Sequence, residues 1–152
     1  MASTETKNGP SEDTKARYED PFRQSSVIPY RISDQGMEIM MITSIRRKRW
    51  ILPKGIVEPD MTPFDSAAKE ALEEAGVEGK VSSKCLGRYH YEKWGGTCRC
   101  DVFALLVTKV HKTWLENDER DREWVPYKIA LKRIRHKKLR AIVEDFISKK
   151  VN

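Results

Sequence analysis

Nowhere in its 152 residues does this chain offer an apolar run of eighteen, so no segment reads as a bilayer-spanning helix. Its first twenty residues, MASTETKNGPSEDTKARYED, are polar, nearly free of aliphatic side chains and without periodicity. They exclude a secretory leader in that segment and read as a disordered tail over 1–20, ahead of one domain over 21–152. Cysteine is scarce: Cys85, Cys98 and Cys100 are odd in number, and CRC spacing is not the CxxC of a metal knuckle. That excludes a disulfide framework and points to reduced thiols, with Cys98 and Cys100 on one face of a strand. His90, His111 and His136 are too scattered for a zinc site, and histidine alone specifies little at His90. There is no internal repeat. A soluble, cytoplasmic protein without membrane contact is the expectation.

What the chain has in excess is positive charge. It carries 29 Lys and Arg against 23 Asp and Glu, and the first twenty residues hold three basic and five acidic, which leaves 26 against 18 beyond them. Basic residues cluster at Arg46, Arg47, Lys48 and Arg49, and again from Lys132 to Arg140. A basic cleft concentrates polyanions, and arginine forks and lysine point charges suit densely phosphorylated ligands. A solvated turn and the polar face of an amphipathic helix are the plain alternatives for the two clusters. Trp50, Trp94, Trp114 and Trp124 offer ring faces for a purine or, as is usual, for packing.

The stretch Gly55 to Val77, GIVEPDMTPFDSAAKEALEEAGV, is the most informative. Thr62 suits an N-cap, Pro63 the first helical position, Asp65 the dipole-favoured first turn and Gly76 a C-terminal stop, which predicts a helix over 63–75. Phe64, Ala67, Ala68, Ala71, Leu72 and Ala75 recur at helical spacing, while Glu70, Glu73 and Glu74 stand at i, i+3 and i+4 on another face. Like charges so placed repel by a few tenths of a kcal/mol per pair, roughly. Their hard oxygens suit Mg²⁺ or Mn²⁺ shared with phosphate oxygens, although a bare ExxEE is also common on solvated helices.

In its context this stretch resembles the Nudix box. That pattern has a Gly, five residues, Glu, seven residues, Arg-Glu, an aliphatic or small residue, any residue, Glu-Glu, any residue, Gly and an aliphatic residue. Gly55, Lys69, Glu70, Ala71, Glu73, Glu74, Gly76 and Val77 fall in register. Met61 replaces the first glutamate and Lys69 the arginine it usually pairs with, and a helix pair from Asp65 to Lys69 is the expected substitute, worth about 0.2–0.5 kcal/mol. The flanks are similar to the diphosphoinositol polyphosphate phosphohydrolase and dinucleoside polyphosphate hydrolase branch. They comprise Arg49 to Gly55, Val102 to Thr108 preceded by Arg99, and Arg122, Glu123 and Trp124, so that the likeness covers about residues 22–146.

The resemblance implies an α/β (α+β) fold, the Nudix α/β/α sandwich with a mixed central β-sheet between helices. It implies hydrolysis of a phosphoanhydride by water, with Mg²⁺ or Mn²⁺ held by Glu70, Glu73, Glu74 and the backbone carbonyl near Gly55. Any of the three glutamates could orient or deprotonate the water. Arg49, Lys54, Arg99 and Arg122 are the expected contacts to a small polyphosphate, a diphosphoinositol polyphosphate or a dinucleoside polyphosphate such as diadenosine polyphosphate. A Nudix-fold binding module with weak hydrolysis, and an RNA 5′-end hydrolase using the basic C-terminal helix, are the other readings. Strands are expected over 24–33, 37–45, 48–53, 80–92, 97–111 and 122–125, with a turn at Gly95-Gly96. A short helix follows near Ile129 to Ile134, and a longer one carries Leu139, Ile142, Val143, Phe146 and Ile147.

Overall fold

A computed structural model describes residues 21–151, so the expected tail over 1–20 lies outside the described residues. Eight strands and three helices follow in the order β1 (Arg23–Ser33), β2 (Gly36–Thr43), β3 (Trp50–Ile51), β4 (Lys54–Ile56), α1 (Pro63–Glu70), β5 (Val77–Val81), β6 (Gly87–Lys93), β7 (Gly96–Val110), β8 (Arg122–Pro126), α2 (Tyr127–Arg133) and α3 (Lys137–Val151). Between α1 and β5 the chain makes a π-helical turn over Ala71–Ala75.

The strands form one mixed sheet. β1 runs parallel to β7 from Arg23↔Arg99 to Tyr30↔Leu106, and the other pairings are antiparallel. β1 and β2 are buried along most of their length because both of their faces are covered. Val27, Met40 and Ile42 pack with Phe103, Leu105 and the alanines Ala67, Ala71 and Ala75 of the helical segment. The alternate residues Ile28, Tyr30, Ile39 and Met41 pack on the other side with Val143, Phe146 and Ile147 of α3. The expected sandwich is what forms.

Two differences from the expected strands matter for the cleft. The stretch 48–53 is not one strand: β3 ladders on β2, Leu52 and Pro53 interrupt, and β4 ladders on β1. β1 pairs with β2 only from Tyr30 to Ser33, and further back its edge is taken by β4 from Gln24 to Ser26. The sheet therefore forks, and the chain from Trp50 to Ile56 fills the fork, tied by Val27 N–H to the Pro53 carbonyl at 3.1 Å. The stretch 80–92 likewise divides into β5 and β6, which lie along the same edge of β7 with residues 82–86 stepping between them. The turn after β6 is Trp94-Gly95, both at positive φ, and Gly96 already pairs with Lys93.

Candidate active site

The acidic helix is placed by its caps. Thr62 Oγ1 accepts the Asp65 N–H at 3.1 Å, a cap worth about 1 kcal/mol, and Ser25 of β1 donates its hydroxyl to the Pro63 carbonyl at 2.7 Å. At the other end Gly76 takes a left-handed φ of 67°, and a side chain there would collide with Trp114 and Arg122. The expected single α-helix over 63–75 is thus α-helical to Glu70 and π-helical from Ala71 to Ala75. The widened turn leaves carbonyls that the segment 111–122 satisfies. Trp114 Nε1 donates to the Glu74 carbonyl at 3.0 Å, Glu116 N–H to Glu73 at 3.1 Å and Arg122 Nη1 to Ala75 at 2.8 Å. π-turns often sit at functional sites.

Glu70 and Glu74 are seated against β4. A Cβ on Gly55 would overlap the Glu70 carboxyl group, so only glycine leaves room for it. The Lys54 N–H donates to Glu74 Oε1 at 3.1 Å, and Arg120 Nη2 lies 3.4 Å from Glu74 Oε2 while its Nε grips Glu116 at 2.7 Å. Burial, and then the neighbouring Glu74 carboxylate, push Glu70 up to about 8. Burial pushes Glu74 up to about 7 against the pull of Arg120 and the Lys54 N–H. The two titrate as a pair.

Glu73 turns elsewhere. Its carboxylate takes the Lys69 ammonium at 2.9 Å, and Lys69 also reaches Glu58 at 3.1 Å. The expected Asp65–Lys69 pair is therefore replaced by a bridge from Lys69 to Glu58 and Glu73, since the two carboxylates together outbid one. Among the described residues no three Asp, Glu, His or Cys side chains converge closely enough to hold one cation. Two carboxylates do converge, and they suit a hard cation. Mg²⁺ commonly uses one or two carboxylates and keeps its waters, Gly55 provides the cradle, and the buried Glu74 and partly buried Glu70 stand side by side with Arg120 as their one close cation among the described residues.

These groups open into a cleft of about 720 Å³. It is lined by the carboxylates of Glu58, Glu70 and Glu74 and by six cations: Arg46, Arg47 and Arg49 on the loop after β2, Lys54 on β4, Lys93 at the end of β6, and Arg120, which is bonded to Glu74. Burial lowers the Lys54 pKa, and its ammonium stands 4.0 Å over the Tyr91 ring. The guanidiniums of Arg135 and then, more weakly, Arg47 lower that of Arg49. Arg49 and Lys54 thus share the cleft, whereas two of the expected phosphate contacts stand outside its lining. Arg99 sits on β7 between Arg23 and His90. Arg122 stacks 3.9 Å over Trp114 and spends its donors on the carbonyls of Ala75, Gly76 and His111.

The sequence alone does not disclose Glu58, Arg120 and Glu116, because their roles depend on contacts 11, 46 and 4 residues away along the chain. The Arg122-Glu123-Trp124 flank is the nearest sequence signal to Arg120, two residues beyond it, and it points to Arg122 instead. Cys98 and Cys100 are buried free thiols on one strand face, as CRC spacing suggested.

The NUDIX domain family model matches residues 22–146. This chain belongs to the Nudix hydrolase family. Arabidopsis thaliana "Nudix hydrolase 13, mitochondrial" is 32% identical over 154 residues, covering 86% of this chain and 76% of that protein. "Diphosphoinositol polyphosphate phosphohydrolase 2" of Rattus norvegicus is 38% identical over 103 residues, covering 66% of this chain and 56% of that protein. The structure of C. elegans Ap4A hydrolase superposes with a TM-score of 0.71 at 17% identity, covering 87% of this chain and 100% of that one, a likeness of fold. Nudix hydrolases act on pyrophosphate linkages and in general use a divalent metal. The box of this Nudix hydrolase keeps its three helical glutamates, and the lysine at 69 has taken a partner three residues ahead of the usual position, Glu58 in place of residue 61.

Proposed function

We propose that this Nudix hydrolase cleaves the phosphoanhydride of a diphosphoinositol polyphosphate, with Mg²⁺ or Mn²⁺ bound at Glu70, Glu74 and the Gly55 carbonyl. The observation that carries the reading is the division of the cleft, with a carboxylate pair seated on β4 and six cations around it. A bound divalent ion would neutralise charge on the phosphates and lower the pKa of the attacking water. Lys54, half-buried beside the carboxylates, is in position to meet the phosphates nearest the scissile bond, and Arg49, Arg46 and Arg47 the more distant ones. So many cations favour a densely phosphorylated remainder over a bare nucleoside. The rat relative's name supports that choice.

A dinucleoside polyphosphate is the second reading, and Trp94 favours it: the ring lines the cleft and is 52% exposed, an aromatic surface for a base beside the Lys93 ammonium 4.5 Å over its centroid. A cytoplasmic site of action goes with either reading. The test is a panel of diphosphoinositol polyphosphates, diadenosine polyphosphates and nucleoside triphosphates assayed with Mg²⁺ and with Mn²⁺. The proposal expects the highest kcat/KM on the first class. Nucleoside triphosphates cleaved far faster than either of the others would defeat it.

A further inference from the structure

We infer that Glu58 is a positioning residue, one that acts through Lys69 to tie the loop after β4 to the helix and so hold its Glu70 and Glu74 carboxylates in the geometry that binds metal. The inference rests on the functional reading above and adds a residue that the box pattern does not contain.

The loop from Val57 to Met61 has little freedom. Val57 is buried and its N–H donates to the Arg23 carbonyl at 3.0 Å, so the loop leaves the sheet from a fixed point. The Glu58 N–H donates to Ser66 Oγ at 3.2 Å, and Ser66 is fully buried inside the helix. The Met61 N–H then closes a turn on the Glu58 carbonyl at 3.1 Å. With the backbone pinned on both sides, the Glu58 side chain lines the catalytic cleft and takes Lys69 at 3.1 Å.

Lys69 is the only described cation that bridges this loop to the helix. Its ammonium is divided between Glu58 and Glu73, and all three side chains are between 27% and 35% exposed, shielded enough for the pairing to hold and open enough to answer a ligand. By sharing Lys69 with Glu73, Glu58 ties the loop to the turn of the helix that carries Glu70 and Glu74. Residues that support metal ligands from outside the ligand set typically alter metal affinity or activity about 10–100-fold.

The test uses the full chain without substrate and reads Mn²⁺ affinity by the electron paramagnetic resonance of free Mn²⁺, alongside thermal melting of the metal-free protein. Glu58→Gln should weaken Mn²⁺ binding about tenfold and lower kcat to match, with KM and the metal-free Tm little changed. Adding Met61→Glu to Glu58→Gln returns a carboxylate to the same turn and should recover most of the affinity. Wild-type affinity in Glu58→Gln overturns the inference while leaving the functional reading intact, and so does a loss that Met61→Glu fails to repair. A wild-type protein that binds no Mn²⁺ would bring down the functional reading, and this inference with it.

Discussion

Glu74 is gripped from several directions, by the Lys54 N–H, by Arg120 and, through its own carbonyl, by the Trp114 ring nitrogen, and its side chain is 9% exposed. Across the same cleft Arg46 and Arg47 stand exposed on the loop from Ser44 to Arg49, with no hydrogen bond or ion pair to any described residue. The loop itself is well made: Ser44 Oγ and Ser44 backbone bond Arg49, and Lys48 Nζ reaches the Glu119 carbonyl at 3.0 Å. One wall thus fixes its side chains, and the other fixes only the backbone from which its side chains reach. Chemistry needs the first, because a misplacement of about 1 Å at a reacting group can cost about 10²-fold in rate. Recognition of a polyanion tolerates the second, because charge acts at a distance and flexible cations adapt.

The sharpest way to break this contrast is to disturb the fixed wall. Glu74→Gln should lower kcat by more than the roughly 10–100-fold typical of a ligand's supporting neighbour, with KM for substrate little altered. Gly55→Ala places a methyl group where the Glu70 carboxyl now lies, and on the order of 10²-fold loss in kcat is expected with the circular dichroism spectrum unchanged. If either variant instead raised KM at constant kcat, the carboxylates would be substrate contacts and the assignment of the two walls would be wrong.

On the basic wall the expected effect is smaller and of the other kind. Replacing both Arg46 and Arg47 with Ala should raise KM about tenfold at low ionic strength and leave kcat alone, since each lost charge-assisted contact is partly replaced by water. The wild-type KM should climb with salt, and the double variant should climb less. A double variant with an unchanged KM would mean that these guanidiniums are only a solvated turn.

The difference between the walls also governs what could be read in the sequence. The helix announced itself through Thr62, Pro63 and Gly76, and the two-layer core through apolar residues on both faces of β1 and β2, because these signals act within a few residues. The π-turn over Ala71–Ala75 left no such trace: it exists because Trp114 and Arg122, about 40 residues on, satisfy its carbonyls. Helix spacing points to Asp65, one turn back, as the partner of Lys69, whereas the chain folds Glu58 across the helix from eleven residues away. Arg122 looked like a phosphate contact for the same reason, since a cationic residue beside a familiar flank does not disclose that backbone carbonyls have already claimed its fork. Local rules place elements, and the loops between them decide which charges are free.

The carboxylate pair makes a further, more modest prediction about stability. The folded protein holds Glu70 up to about 8 and Glu74 up to about 7, above the ordinary carboxylate range, so it binds their protons more tightly than the unfolded chain does. Their contribution is fully present below about pH 4.5 and is lost as pH rises through 8. Metal-free protein should therefore show a Tm that declines by a few degrees between pH 5 and 8.5, while Glu70→Gln, with one charge gone, should decline less. Mg²⁺ should flatten the wild-type curve by binding the ionised pair. Equal slopes in the wild type and Glu70→Gln would show that the pair is not the source.

The smallest effect is expected at Arg99, which marks the boundary of the basic wall. It shares a flank with the catalytic strands, and by sequence it reads as a substrate contact. On the sheet, however, it lies in register with Arg23 and His90, its N–H donates to the Phe22 carbonyl at 2.7 Å, and the cleft is lined without it. Removing one charge there weakens only the general positive field, which at about 0.1 M salt is screened beyond roughly 10 Å. Arg99→Ala should accordingly keep kcat/KM within about twofold on every substrate of the panel. A tenfold rise in KM confined to the most highly phosphorylated members would instead extend the substrate's path along β7, and would put part of the basic wall on the regular sheet, where side chains are held as firmly as the carboxylates opposite.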